Sequence, residues 1–379
     1  VKTHTFFIEP LDVLFLRGNT LFGHAGSYGE SAVPPKPSVL AGALRSALLA
    51  TREYNLAAFA RGEVPDPEIG TPDAPGSFIL TGSGLARRER GAKRQVEPLF
   101  AMPADLVLDQ TCSKGHVSRL QPTALHSKLG SSNPMPFVAV HAQAKREKVE
   151  SGRWLTISGW KNYLAGEPVH RSDTVASTCL WKTETRIGIG LDAAKRRAAD
   201  GQLFSSEAIA FLKSNKSEIG FFATVRGIET ANAMMLRLGG DGRAAIAHQV
   251  PLTLPEPDYG AMAKSRRLRM VLTSPGLFEG GWRPAGADMS GTFDLHGVRG
   301  KLKCAAVARP EVISGFDLAK GCPKPAQRVA PTGSVYWLDD VDATPEALHK
   351  LVEAGLWSKE VENPVRRAEG FNRIALAAY

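Results

Sequence analysis

The first fifty residues constrain the fold more than any other stretch. An apolar run, "THTFFIEPLDVLFL", meets a polar break at Arg17, Gly18 and Asn19, and Leu21, Phe22 and Gly23 resume the apolar character. A proline-rich approach then leads into "PSVLAGALRSALLAT". The first run predicts a strand, broken or bulged at Pro10 because proline cannot donate to a ladder. In the later stretch Leu40, Ala43, Leu44, Ala47 and Leu48 recur at helical spacing, which predicts a helix with Ser38 as its cap and Pro37 just outside it. Gly42 inside that helix costs up to ~1 kcal/mol relative to alanine. Close packing or close approach of a ligand would explain it. A strand that ends in an arginine-bearing turn and returns as a helix opens an α+β domain, and leaves the turn to present a contact.

Strand–helix–strand order recurs further on. Residues from about 60 to 150 read as irregular, with "RGEVPDPEIGTPDAPGS" and "SKLGSSNPMPF" as loops and the whole stretch as insertions on a smaller scaffold. The basic run "LARRERGAKR" has no apolar stripe, so it reads as a solvated loop or as a phosphate contact. "TETRIGIGLDAAKRRAADGQLFSSEAIAFL" reads as a short strand, a polar excursion and a return, and "GFFATVRGI" as a strand. "ETANAMMLRLGGDGRAAIAHQV" reads as helix, glycine-rich turn and strand. "LPEPDYG" is the best domain boundary. Beyond it "RRLRMVL", "RGKLKCAAVA", "EVISGF" and "RVAPTGSVYWL" read as strands, "TPEALHKLVEAGL" as a helix capped by Thr344 with Glu346 in its first turn, and "FNRIALAAY" as a closing strand. The expectation is an α+β protein of two ferredoxin-like domains, residues 1–258 and 264–379.

Charge narrows the partners. The 379 residues carry a formal net charge of +9, a field that attracts polyanions: nucleic acid first, then an anionic membrane or an acidic protein surface. The four cysteines, Cys112, Cys179, Cys304 and Cys322, form no CxxC pair, and no histidine near them completes a zinc site. They read as reduced thiols of a cytoplasmic protein. No signal peptide is visible, and no apolar stretch reaches the ~18 residues that span a bilayer, so no membrane partner is expected.

Enzyme motifs are missing from the sequence. There is no G-x-x-x-x-G-K-[ST] phosphate loop, no G-x-G-x-x-G after a strand, no G-x-S-x-G elbow and no H-E-x-x-H, and the acids are scattered without an obvious metal-binding D-x-D. No metal and no cofactor are expected. Of the histidines, His24 stands in "FGHAGSYGES" beside Ser27 and Tyr28, where it is either an exposed loop residue or an acid–base group able to cleave RNA without a metal. The glycine-rich turns say more. "LRLGGDGRAA" places Gly239, Gly240 and Gly242 before Arg243, and glycines leave backbone N–H groups open to a phosphate. "PGLFEGGWRP" repeats the idea, with Gly280 and Gly281 beside Trp282, which can stack on a base or fill a core. Arg17, Arg186, Lys301 and Lys303 are candidate phosphate contacts, the two lysines on one face of "KLKCAAV". Each alone is more often a solvated strand residue, and joint presence with the glycine turns and the net charge shifts the balance toward RNA.

The residues also resemble a known family. "DVLFLRGNTLFG" followed by "SAVPPKPSVLAGALRSALL", with Arg17, Phe22, Pro34, Pro35, Gly42 and Arg45, is similar to the opening of the third-subunit family of the type III-B CRISPR–Cas Cmr effector, within the RAMP superfamily. "LFAMPADLVL" around Pro103 and Asp105, "WKNYLAGE", "LRLGGDGRAA", "LFEGGW" and "RVAPTGSVYWL" continue the likeness in order. "ETRIGIGLDAAKRRAADGQLFSSE", with Arg186, Gly188, Gly201, Leu203 and Phe204, resembles the thumb-like excursion of such subunits, here about 183–207. The resemblance spans both halves. Superfamily members often end with a glycine-rich loop before the last strand, whereas "AEGFNRIALAAY" offers only Gly370.

The resemblance implies RAMP domains with long insertions and a non-catalytic subunit that caps the crRNA 5′ end by gripping its handle. It implies docking on the large polymerase-like subunit and the first copy of the repeating backbone RAMP subunit, with target RNA met only in the assembled complex. It adds Asn19, Phe22, Lys36, Ser38, Arg45, Gly333 and Ser334 to the candidate RNA contacts. Rival readings are a metal-independent RAMP endoribonuclease acting through His24, a structural protein whose basic face meets an acidic partner, and a handle-binding subunit of another CRISPR type.

Overall fold

The computed structural model describes residues 2–16, 28–29, 32–91, 94–108, 117–126, 134–142, 149–192, 194–358 and 363–379. Arg17, Asn19, Phe22 and His24 lie outside the described residues. The chain is a mixed α+β fold with several antiparallel sheets. It divides into two units, each discontinuous in sequence. Residues 1–96, 178–251 and 312–327 make the first, and 97–177, 252–311 and 328–379 the second. One crossing, between Pro251 and Leu252, falls close to the boundary expected at 258–264. The stretch 97–177, which the expected division at 258–264 kept with the N-terminal part, groups with the second unit.

In the first unit five antiparallel strands lie in the order Ile79–Glu89, Ser217–Arg226, Thr3–Pro10, Arg243–Gln249 and Ala233–Leu238. The central Thr3–Pro10 buries Phe6, Phe7 and Ile8 completely, and ends at its proline as expected. Helix Pro37–Thr51 packs against Ala233–Leu238 and Ile79–Glu89 and buries the predicted stripe of Leu40, Ala43, Leu44, Ala47 and Leu48. Its start differs from expectation. Pro37 lies inside the first turn, the N-cap is Lys36, and no side chain caps it, Ser38 included. Proline's fixed φ and missing N–H suit that first position. Gly42 is exposed, with nothing within 4 Å of where a Cβ would stand, so close packing does not explain it.

Two further expectations are corrected here. "AMMLRL" is not helix but the edge strand Ala233–Leu238. Met234, Leu236 and Leu238 are buried while Ala233, Met235 and Arg237 are exposed, so the period of two that matches a ladder with Arg243–Gln249 overrides the helix preference of Met, Leu and Ala. "LARRERGAKR" is not a free loop, because Leu85 to Glu89 belong to Ile79–Glu89. Arg88 is buried over the Phe7 ring and held by Glu9 at 2.6 Å and Glu218 at 2.5 Å, so its charge serves the sheet. The excursion of 183–207 is a long antiparallel hairpin, Trp181–Asp192 with Arg197–Phe211.

The second unit centres on five strands in the order Thr292–Leu295, Val298–Ala306, Val335–Asp342, Leu268–Leu272 and Ile374–Ala378. Alternation along them feeds two apolar clusters. Leu268, Met270, Leu302, Tyr336, Leu338 and Leu376 join one with Met262, Leu348 and Leu351 from helices Tyr259–Ser265 and Pro345–Ala354. Val271, Cys304, Val335, Trp337 and Ala377 join the other with Trp160, Tyr163 and Leu164 of helix Ile157–Ala165. Thr344 caps its helix through the Ala347 N–H, as predicted. "EVISGF" is split into Glu311–Ile313 and Phe316–Asp317, because Gly315 takes a φ of 87° between them.

The most deeply buried ion pair of this unit joins Arg269 to Asp105. Arg269, 1% exposed at its side chain, donates to Asp105 Oδ2 at 2.6 Å, to Ala378 O at 2.7 Å and to Tyr163 O at 3.2 Å. Tyr163 Oη donates to the other Asp105 oxygen at 3.0 Å. Burial and the Asp105 charge push the Tyr163 hydroxyl well above its ordinary range, so it remains a donor. A buried ion pair of this kind is secure only when its remaining donors and acceptors are satisfied, as here by carbonyls of the helix and the last strand. Among the described residues no helix is long and apolar enough to cross a membrane.

Candidate nucleic-acid interface

Four of the predicted residues, Arg186, Gly239, Gly240 and Arg243, come together around Phe15 in the first unit. After Pro10 the chain continues alongside its neighbours without forming a regular strand. Leu14 exchanges two backbone hydrogen bonds with Ile209 at the base of the long hairpin, 2.9 and 2.8 Å. The next carbonyl, Phe15 O, accepts from Gly240 N at 2.7 Å. A two-residue segment is thus clamped between the hairpin on one side and the glycine-rich turn on the other.

That turn joins Ala233–Leu238 to Arg243–Gln249. Gly239, Asp241 and Gly242 take φ values of 73°, 58° and 56°. Glycine at 239 is required by position as well as by φ, because a Cβ there would stand 2.7 Å from Phe15 O. The close approach of backbone to backbone fixes Arg243 at the turn's exit. Its guanidinium lies 5.0 Å from the Phe15 ring centroid, and that of Arg186, from the hairpin, lies 5.8 Å from the same ring. Two cations share one aromatic face region. Arg186 is 44% and Arg243 29% exposed, so both are open to an incoming anion.

Phe15 is the member that sequence reading missed. It lies in an apolar run and reads as core, and it is in fact only 8% exposed. The available signal was its place two residues before Arg17, opposite nothing that a regular strand would pair. On the hairpin, Gly188 and Gly190 share the face of Arg186. A Cβ at Gly188 would collide with the Phe204 ring, and one at Gly190 with the Gln202 side chain, so both side chains lie flat across bare backbone of the neighbouring strand. The opposite face of the hairpin exposes Ile187, Ile189, Leu191 and Leu203. Ala32 N donates to Leu16 O at 2.9 Å, so the chain leaves and returns beside the Phe15 cluster.

The other predicted contacts are not brought here. Lys36 caps the helix, Ser38 follows in its first turn, and Arg45 donates to the carbonyls of Ile69 and Thr71 at 3.2 and 3.3 Å. In the second unit Gly280 and Gly281 form an exposed turn, but Trp282 is half-buried against the apolar cluster and its carbonyl accepts from Tyr336 Oη at 2.7 Å. Lys303 pairs with Asp339 at 2.5 Å and lies over the Phe137 ring. Lys301 stands 4.0 Å from Asp340, more exposed than Lys303, because a bulge between Leu302 and Cys304 breaks the alternation. Gly333, with φ 89°, and Ser334, 1% exposed with Oγ donating to Pro331 O at 2.7 Å, form an internal corner. A Cβ at Gly333 would stand 2.9 Å from Met102 O.

Two arginines over one aromatic ring make a cationic surface suited to an anion. The comparison with protein families agrees. The family model described as CRISPR-associated protein (Cas_Cmr3) matches residues 6–378. The chain belongs to the Cas_Cmr3 family. It is therefore a RAMP-superfamily subunit with a non-catalytic, crRNA-handle-binding role in a type III-B Cmr RNA-guided effector, in antiviral defence.

A solved structure shares the fold. A chain of the type III-B Cmr-beta complex bound to cognate target RNA and AMPPnP, state 1, superposes with TM-score 0.51 at 15% identity, covering 98% of each chain. A chain of the Cmr-beta complex bound to cognate target RNA gives 0.49 at 15% identity, covering 98% of this chain and 96% of that one. No curated protein sequence matches.

Proposed function

We propose that the Phe15 cluster is where this subunit meets the crRNA 5′ handle. Arg186 and Arg243 take backbone phosphates, and the turn of Gly239 and Gly240, bonded to Phe15 O, holds Arg243 in place for that contact. Arg17, Asn19 and Phe22, which lie outside the described residues, are further RNA contacts in this reading. The observation that carries this reading is the convergence of Arg186 and Arg243 on one ring, 5.8 and 5.0 Å from its centroid, from elements far apart in sequence. Arginine pairs phosphate with charge-assisted, often bidentate hydrogen bonds, so two fixed guanidiniums set the register of a bound strand.

We read the long hairpin as the thumb of a ferredoxin-like RAMP domain, and the two units as two such domains. The large polymerase-like subunit and the first backbone RAMP subunit are the partners, with target RNA met through the assembly. The complexes whose chains share this fold hold cognate target RNA. Binding of the purified chain to a labelled crRNA with its handle, beside the same RNA without it, across a salt series and in EDTA, tests the reading. Tighter and salt-steep binding of the handled RNA without cleavage is expected, with a slope of about −0.7 per phosphate contacted. Equal, salt-insensitive binding of both RNAs would overturn it.

A further inference from the structure

Asp12 is the acid built into this basic site. The antiparallel register pairs Pro10 with Ala245, Leu11 N then donates to Ala244 O at 3.0 Å, and Asp12 comes next, opposite Arg243. Its Oδ1 accepts from Val13 N at 2.7 Å and its Oδ2 from Arg243 Nη1 at 3.1 Å, so both oxygens are held. The carboxylate is 60% exposed and stands at the open edge of the guanidinium. Arg243 has little room to turn away. Its Nε is buried without a hydrogen-bond partner, and its plane rests on Phe15.

Arg186 also has an acid near it, Glu184 at 3.7 Å, but that carboxylate is shared with Lys182 at 3.0 Å. The hydrogen bond from Lys182 holds the Glu184 carboxyl below the usual carboxylate range. Asp12 has no second cation at salt-bridge distance among the described residues. The two arginines and Lys182 outweigh the two carboxylates by one charge, so the cluster is only weakly positive before RNA arrives, within a chain of net charge +9.

We propose that Asp12 is an affinity-setting residue of the RNA site, an internal carboxylate that occupies Arg243 in the free chain and is displaced when a phosphate takes that guanidinium. This rests on the reading of Arg243 as a phosphate contact. The physical case is competition. One guanidinium edge cannot serve a carboxylate and a phosphate at full strength, and the carboxylate left behind repels the phosphate beside it. Because the pair is exposed, its hold is weak and screened by salt, which suits a contact that must be released. The effect is independent of base sequence, since only a phosphate is involved.

The test measures binding of a labelled crRNA carrying its handle, and of an unrelated single-stranded RNA of equal length, by the full chain at low salt. Asp12→Asn, Arg243→Ala and the double variant are compared with the parent. Asp12→Ser, which keeps an acceptor for Val13 N–H, guards against a folding defect in the first. Asp12→Asn and Asp12→Ser are expected to tighten both RNAs by the same factor, roughly threefold. The gain vanishes in the Arg243→Ala background and fades as salt rises. If Arg243→Ala weakens RNA binding while neither Asp12 variant tightens it, the competitor role is wrong and the phosphate contact stands. If Arg243→Ala leaves binding unchanged, the contact itself is wrong and the competitor role falls with it.

Discussion

Two glycine-rich turns with an arginine just beyond them look alike in the sequence and become different objects in the structure. In "LRLGGDGRAA" the turn joins two strands of the first unit, Gly240 is bonded to Phe15, and Arg243 is held on an aromatic ring that Arg186 also reaches. In "LFEGGWRP" the turn has no such neighbour. Trp282 goes half into the apolar cluster of the second unit, and Arg283 donates to Met289 Sδ. The first turn presents cations, and the second closes a core. The difference teaches that glycine and arginine make an anion site only where a third element fixes the arginine from behind.

The second unit has its own fixed arginine, but there the charge is consumed inside. Arg269→Ala or Asp105→Ala leaves the other partner buried and unpaired, with an expected loss of about 3–5 kcal/mol in urea denaturation. A loss under 1 kcal/mol would mean the pair is solvated in practice. Trp282→Ala is expected to cost about 2 kcal/mol of stability and to leave the salt slope of RNA binding unchanged. A change in slope with unchanged stability would make Trp282 a base contact and erase the contrast between the two turns.

At the first turn, Gly239→Ala forces a Cβ against Phe15 O and an unfavourable φ, so a loss of roughly 1–2 kcal/mol with weaker RNA binding is expected from melting and titration together. Arg186→Ala and Arg243→Ala each should weaken handled RNA several-fold and lower the salt slope by about 0.7, one contact's worth, without unfolding the protein. An unchanged slope in both would remove the cluster from the RNA path. Lys303→Ala is the smallest case. Its charge is paired with Asp339, so stability is expected to move by no more than about 0.5 kcal/mol and RNA affinity to stay level. A clear drop in affinity would show that the second unit holds a cationic RNA contact after all.

Much of this was legible in the chain order. The helix stripe from Leu40 to Leu48, the Thr344 cap and the closing strand Ile374–Ala378 follow from periodicity and capping chemistry that act over a few residues. The resemblance in motif order led to the family. "AMMLRL" and "LARRERGAKR" misled for one reason. Each has a local preference, for helix or for solvent, that is smaller than the gain from a ladder partner supplied by a distant strand. Arg88 is the sharpest instance, because a basic run is read as solvated unless Glu9 and Glu218 are known to face it.

The sequence by itself determined the α+β class, the positive field and the family to which the chain belongs. The tertiary structure alone decided which cations remain available. Lys303, Arg45, Arg88 and Arg269 were drawn into ion pairs or carbonyl contacts, while Arg186 and Arg243 were set on Phe15 with one exposed carboxylate, Asp12, between Arg243 and solvent. The physical reason is range. Helix caps and glycine turns are settled by neighbours along the chain, whereas the partner of a charge is settled by whatever folding brings within about 4 Å.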